Sequence, residues 1–124
     1  MGEHLVTAPI SVRLGRATEE RVRQIAQLEH RSYADTVRLL TEEAIKGRDF
    51  PDVLFTDGPT GRRATLRRGP DVWEIIEPYI VAGRDIAALR ESFPHLGEGA
   101  LQTALRYYER YPAEIDARIT LNQS

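Results

Sequence analysis

Residues 9–14 alternate in polarity: Ile10, Val12 and Leu14 are apolar, while Ser11 and Arg13 are polar. That period of two is the mark of a strand with one buried face. It is the single such run before residue 50. A lone strand leaves its backbone edges unpaired and buries too little to persist. The pattern therefore predicts pairing with the same strand of a second copy across a two-fold axis. From Thr18, an N-cap residue followed by Glu19 and Glu20, the period becomes helical, with Val22, Ile25, Ala26 and Leu28 on one stripe. His30-Arg31 interrupts it. Ser32, with Asp35 three residues on, starts a second helix that carries Val37, Leu40, Ala44 and Ile45 and is flanked by Tyr33 and Leu39. Gly47 is its expected stop. The expected dimer core is Ile10, Val12, Leu14, Val22, Ile25, Val37 and Leu40.

A junction at Lys46–Pro51 separates this front part, residues 1–48, from a back part, residues 49–124. Val53–Thr56 and Arg62–Leu66 read as two strands about a turn at Asp57–Gly61. Asp71 then caps a helix through Val81, with Pro78 late in it and Gly83 ending it. Asp85 caps a short helix containing Ile86, Leu89 and Phe93. Pro94–Gly97 is a turn, Leu101, Ala104, Leu105 and Tyr108 form another helical stripe, and Pro112 opens a last helix through Ile115 and Ile119. The fold class expected is mainly α. The front is one strand and two helices that share an intermolecular two-stranded antiparallel ribbon in a dimer; the back is a β-hairpin with a helix-turn-helix bundle.

Composition narrows the chemistry. The 124 residues include no Cys, which excludes disulfides, zinc ribbons and thiol catalysis. No apolar run is long enough to span a bilayer, and Met1–Val6 lacks the layout of a secretory signal, so a cytoplasmic protein is expected. The net charge of −2 is unevenly spread. Residues 1–48 have eight basic and seven acidic residues, residues 49–68 four and three, and residues 69–124 five and nine. The front is the better place for phosphate contacts, and the acidic back the better place for a basic partner.

With Ile10, Val12 and Leu14 turned inward, Ser11 and Arg13 project from the opposite face. A paired ribbon of this kind fits a major groove, where Arg reaches guanine O6/N7 and Ser meets several base edges. The start of the second helix, at Arg31, Ser32 and Tyr33, offers backbone N–H groups and a positive dipole end to a DNA phosphate, or serves as simple capping. Arg62, Arg63, Arg67 and Arg68 form a candidate basic wing on the hairpin. Gly58–Arg63 lacks the Lys-Ser/Thr of a nucleotide loop and reads as a hairpin turn. His4, His30 and His95 have no metal-ligand spacing, and His95 is expected to pack on the helix pair. Trp73, Tyr79, Tyr107, Tyr108 and Tyr111 read as core and rim aromatics. No nucleophile, metal cluster or cofactor loop is assembled, so no enzyme, cofactor or metal is expected.

Residues 9–46, from Pro9-Ile10-Ser11-Val12-Arg13-Leu14 through the His30-Arg31-Ser32 turn to the second helix, resemble the MetJ/Arc ribbon-helix-helix repressors. In that family, outward strand residues read bases and the second helix N-terminus holds phosphate, which the resemblance carries onto Ser11, Arg13 and Ser32. His30 stands where the family turn usually has Gly, and Gly15-Arg16-Ala17 replaces the common Pro-Glu-Glu. Trp73–Ile76, Ala82–Ile86, Phe93–Leu96 and Ala104–Tyr108 resemble a small helix-turn-helix domain of bacterial antitoxin-like proteins. The Pro94/Leu96 turn and Ala104-Leu105 are kept, with Asp85 for Ser and Gly97 for Thr, and the match is good over residues 70–119.

Such domains are often encoded beside PIN-type ribonuclease toxins. The resemblances imply a homodimeric, sequence-specific repressor of a palindromic double-stranded operator. They make it the antitoxin of a type II pair, which autoregulates its operon and neutralises a PIN-type toxin. The alternative is a stand-alone bacterial transcription factor with both halves on DNA. Charge favours a protein partner for the back half; a helix-turn-helix favours DNA.

Overall fold

In the computed structural model, which describes residues 9–123, the chain is mainly helical with one two-stranded antiparallel sheet. The order is α1 (Arg16–Leu28), α2 (Tyr33–Asp49), β1 (Val53–Gly58), β2 (Gly61–Leu66), α3 (Val72–Val81), α4 (Ile86–Ser92), α5 (Glu98–Arg110) and α6 (Pro112–Gln123). Two compact units meet within α2, between Thr41 and Glu42, rather than at residue 48. Met1–Val6 and His4 lie outside the described residues. No helix among those described is long and apolar enough to cross a membrane.

In the first unit, residues 9–15 form neither helix nor strand in the single chain. α1 begins at Arg16, with extended Gly15 as N-cap and the Glu19 N–H bonded to the Gly15 carbonyl at 2.9 Å. Thr18 is thus inside the helix, not its cap: the chain takes the earlier start because Gly15 reaches the cap geometry without a side chain. Val22 and Ala26 are buried, Ile25 is half-buried and Leu28 is 75% exposed. α1 closes on His30, whose φ of 55° is left-handed, with the Arg31 N–H bonded to the Ala26 carbonyl at 2.9 Å. This is the helix-ending turn usually given to Gly. The most buried α2 residue here is Thr36, not Val37 or Leu40, which are half-buried. Its hydroxyl donates to the Ser32 carbonyl at 2.8 Å, and a polar group satisfied within its own turn is buried at little cost.

The second unit takes in the end of α2, which runs past Gly47 to Asp49. The Phe50 N–H bonds the Lys46 carbonyl at 2.8 Å, and buried Phe50 anchors the helix end in the core. β1 and β2 pair from Val53↔Leu66 to Gly58↔Gly61, so the turn is only Pro59-Thr60, shorter than the pattern suggested. Gly61 takes φ 105°, which its lack of Cβ permits. α3 is the central element, touching β2, α4, α5 and α6. Its Val72, Ile75 and Ile76 are fully buried with Leu66, Leu89, Leu101 and Tyr107. Asp85 Oδ1 caps α4 by accepting from the Ala87 N–H at 2.9 Å, and Pro112 opens α6 as the sequence indicates.

Long-range polar contacts bind this unit. Tyr107 donates its hydroxyl to both Glu114 oxygens at 2.9 Å, and Lys46 Nζ donates to Glu114 at 2.7 Å. Burial, then the Glu114 charge, pushes the Tyr107 hydroxyl well above the usual phenol range, so it remains a donor. On the surface, Arg90 holds Glu98 through bonds of 2.8 and 3.0 Å, and Gln102 adds a third at 3.0 Å. These bonds, Arg90's first, lower the Glu98 carboxyl to about 2. A lowered folded value means the pairing is complete above the ordinary carboxylate range and is lost as pH falls towards 2. A carboxyl-detected NMR titration is expected to place the Glu98 midpoint near 2, and Arg90→Gln to move it upward.

Candidate nucleic-acid interface

The expected inward face of residues 9–14 is not buried in the single chain, where apolar and polar positions are exposed alike. Ile10 is 85% and Val12 75% exposed, Ser11 and Arg13 are exposed, and Leu14 is half-buried. Ser11, Val12, Arg13 and Leu14 line an open concavity of about 480 Å³ together with Glu19 and Tyr33. The whole of residues 11–14 and the first residue of α2 thus share one surface of the first unit, and in the single chain the polar and apolar residues of the segment are not separated onto two faces. Arg13 makes no ion pair with any described residue.

Ser32 performs the capping role outright: its Oγ accepts from the Asp35 N–H at 3.0 Å. Its carbonyl accepts from the Thr36 N–H at 3.0 Å, which leaves the Tyr33 and Ala34 N–H groups without an acceptor among the described residues. These two donors, at the positive end of a 17-residue helix, are what an anion would meet. Arg31, the neighbouring cation, is engaged with Glu29 at 3.2 Å. The Arg23 guanidinium lies 4.6 Å from the centre of the Tyr33 ring and donates to Glu19 at 2.8 Å. That stack orders Tyr33 at the edge of the concavity. Arg23 is one position the sequence pattern did not single out; its spacing from Tyr33 gives no local signal, because it depends on how α1 and α2 pack.

The hairpin cations divide. Arg62 is bidentate to Glu43 at 2.6 and 2.7 Å and lies 3.2 Å from Asp57; the Glu43 bonds raise its proton affinity. Arg63 donates to buried Asp71 at 2.6 Å. Neither is an outward wing residue, because each finds a carboxylate on another element. Arg67 donates to the Pro51 carbonyl at 3.1 Å, and Arg68 is exposed with no ion pair to a described residue. His95 is exposed rather than packed on the helix pair. The aromatics behave as read: Tyr107 and Tyr108 are buried, and Trp73, Tyr79 and Tyr111 pack partly buried around the core.

No family model matches the chain, and no curated protein or solved structure is significantly similar to it. Chemistry at these residues rests on their own geometry. Among the described residues, no group of three or more His, Asp or Glu comes together to hold a metal ion.

Proposed function

We propose that the protein is a homodimeric, sequence-specific DNA-binding repressor whose two-copy ribbon is formed by residues 9–14. One observation carries the reading: Ile10 and Val12 are 85% and 75% exposed, apolar positions interleaved with Ser11 and Arg13 on a segment that is neither helix nor strand in the single chain. Exposed apolar side chains and unpaired backbone on one segment are both satisfied when it pairs as a strand with a second copy of itself. Once paired, the ribbon presents two Ser11 and two Arg13 side chains to a major groove, and the Tyr33 and Ala34 N–H groups lie at the same surface for backbone phosphate. The ribbon-helix-helix resemblance of residues 9–46 supports the same arrangement.

Arg13→Ala is expected to cost roughly 1–3 kcal/mol of operator affinity without lowering the melting temperature. Gel shift on the DNA upstream of the gene reads this; unchanged affinity refutes base reading by the ribbon.

The second unit supports a protein partner, and thus an antitoxin, over a second DNA reader. Residues 69–124 are net acidic, and Val81 is 81% exposed near Glu74 and Glu77. On α5 the exposed Glu98 and Glu109 offset Arg106 and Arg110, so the helix as a whole offers no excess positive charge to a duplex backbone. A PIN-type ribonuclease encoded beside this gene is expected to co-purify with the full chain and to lose its RNA cleavage; a neighbour that neither binds nor loses activity favours the stand-alone repressor.

A further inference from the structure

Within the otherwise acidic second unit lies a cationic cleft of about 660 Å³, between the loop after β2 and the start of α5. Arg67, Arg68, His95 and Arg106 line it, against one acid, Asp52, which is 3.9 Å from Arg67. Arg68 has no ion pair to a described residue, and Arg106 makes only a 3.4 Å bond to the Gln102 carbonyl. Leu66, Leu96 and Ala100 supply an apolar floor. Thr103 is 6% exposed and lines the same cleft, yet its hydroxyl bonds to no described residue. Among the described residues, no buried polar side-chain atom is both sealed and unpartnered. The Thr103 hydroxyl therefore keeps an opening, and the cleft is what that residue faces. Gly97 caps α5 without a side chain, so the Glu98 and Gly99 N–H groups at the cleft edge also lack an acceptor.

A solvent-reachable Thr103 hydroxyl, the unpaired Arg68 guanidinium beside Arg67 and Arg106, and open helix N–H groups around an apolar floor make a composite site. Duplex DNA presents its phosphates on a convex ridge and leaves such a floor empty. A single nucleotide fills both parts, its phosphate on the cations and its base on the floor, where His95 and the Arg planes are able to stack. We propose that this cleft binds a nucleoside phosphate, either free or as the 5′ end of a single strand. The site goes beyond ribbon-mediated operator binding and does not depend on it.

The test uses the full chain, titrated with adenosine 5′-monophosphate and followed by amide NMR and calorimetry. Saturable shifts at Leu66–Gly69 and His95–Arg106 are expected, with adenosine and inorganic phosphate each binding at least about tenfold more weakly. Arg68→Glu with Arg106→Glu is expected to weaken binding by about tenfold or more. Both side chains are exposed, and Arg68→Gln alone should change affinity in the same direction. Thr103→Val is expected to lose about threefold. Binding of a 5′-phosphorylated oligothymidine at the same residues, without binding of the free nucleotide, supports the site and names its source as nucleic acid. Absence of saturable shifts with either probe at millimolar concentration overturns the proposal. Adenosine binding as tightly as its phosphate, or affinity unchanged by charge reversal, does so too. Operator affinity and its Arg13 dependence are read separately, so failure here leaves the ribbon untouched.

Discussion

A chain carrying Val12→Asp is expected to sediment as a monomer and to lose operator binding altogether, while its second unit melts at the wild-type temperature. In the proposed ribbon Val12 turns inward, and its copy faces the same small core. Two carboxylates placed there have no cationic partner, and each unpaired buried charge costs several kcal/mol. The lone chain leaves Val12 75% exposed, so the substitution costs the isolated unit nothing and acts through association. The second-unit core contains none of residues 9–14, which is why its transition stays put. Analytical ultracentrifugation with calorimetry separates the two effects. A Val12→Asp dimer that still binds operator refutes the ribbon.

Asp71→Ala is expected to lower the melting temperature of the second unit by more than about 10 °C, from a loss of about 3–5 kcal/mol. Asp71 is 8% exposed and stands where β2 meets α3. It accepts from Arg63 Nε at 2.6 Å, Thr65 Oγ1 at 2.8 Å and Trp73 Nε1 at 3.2 Å. Its own N–H donates to Glu74 at 2.9 Å. Truncation leaves a partly buried guanidinium, a hydroxyl and an indole N–H facing a void. Asp71→Asn, which keeps an acceptor, should cost less. A shift of only a degree or two in a thermal melt of the alanine variant shows that the carboxylate is not the joint between hairpin and helix.

The local elements were legible in the chain because their causes are local. Asp71, Asp85 and Pro112 mark helix starts through their own backbone and side-chain geometry, and all three stand at helix starts in the folded protein. The interruption at His30-Arg31 is legible as the break between two helical stripes, whereas its left-handed geometry comes only from the family resemblance, which has Gly there. Where two local signals compete, the folded chain does not follow the stronger-looking one. Thr18 is a better capping side chain than Gly15, but Gly15 reaches the geometry first. Gly47 is a good stop, but burial of Phe50 outweighs the roughly 1 kcal/mol that a helical Gly costs.

Polarity along the chain settles which residues alternate, which helices have an apolar face and where most turns fall, because these follow from backbone periods of two and 3.6. It does not settle which cations are free. Arg62 and Arg63 sit side by side with Arg67 and Arg68 in sequence, yet the first two are held by Glu43 and Asp71 and Arg68 is open. The cleft joining Arg67 and Arg68 to Thr103 and Arg106 has the same origin. Partners that come from distant elements meet only after the core has packed, and the charge left over at a surface is what that packing does not neutralise.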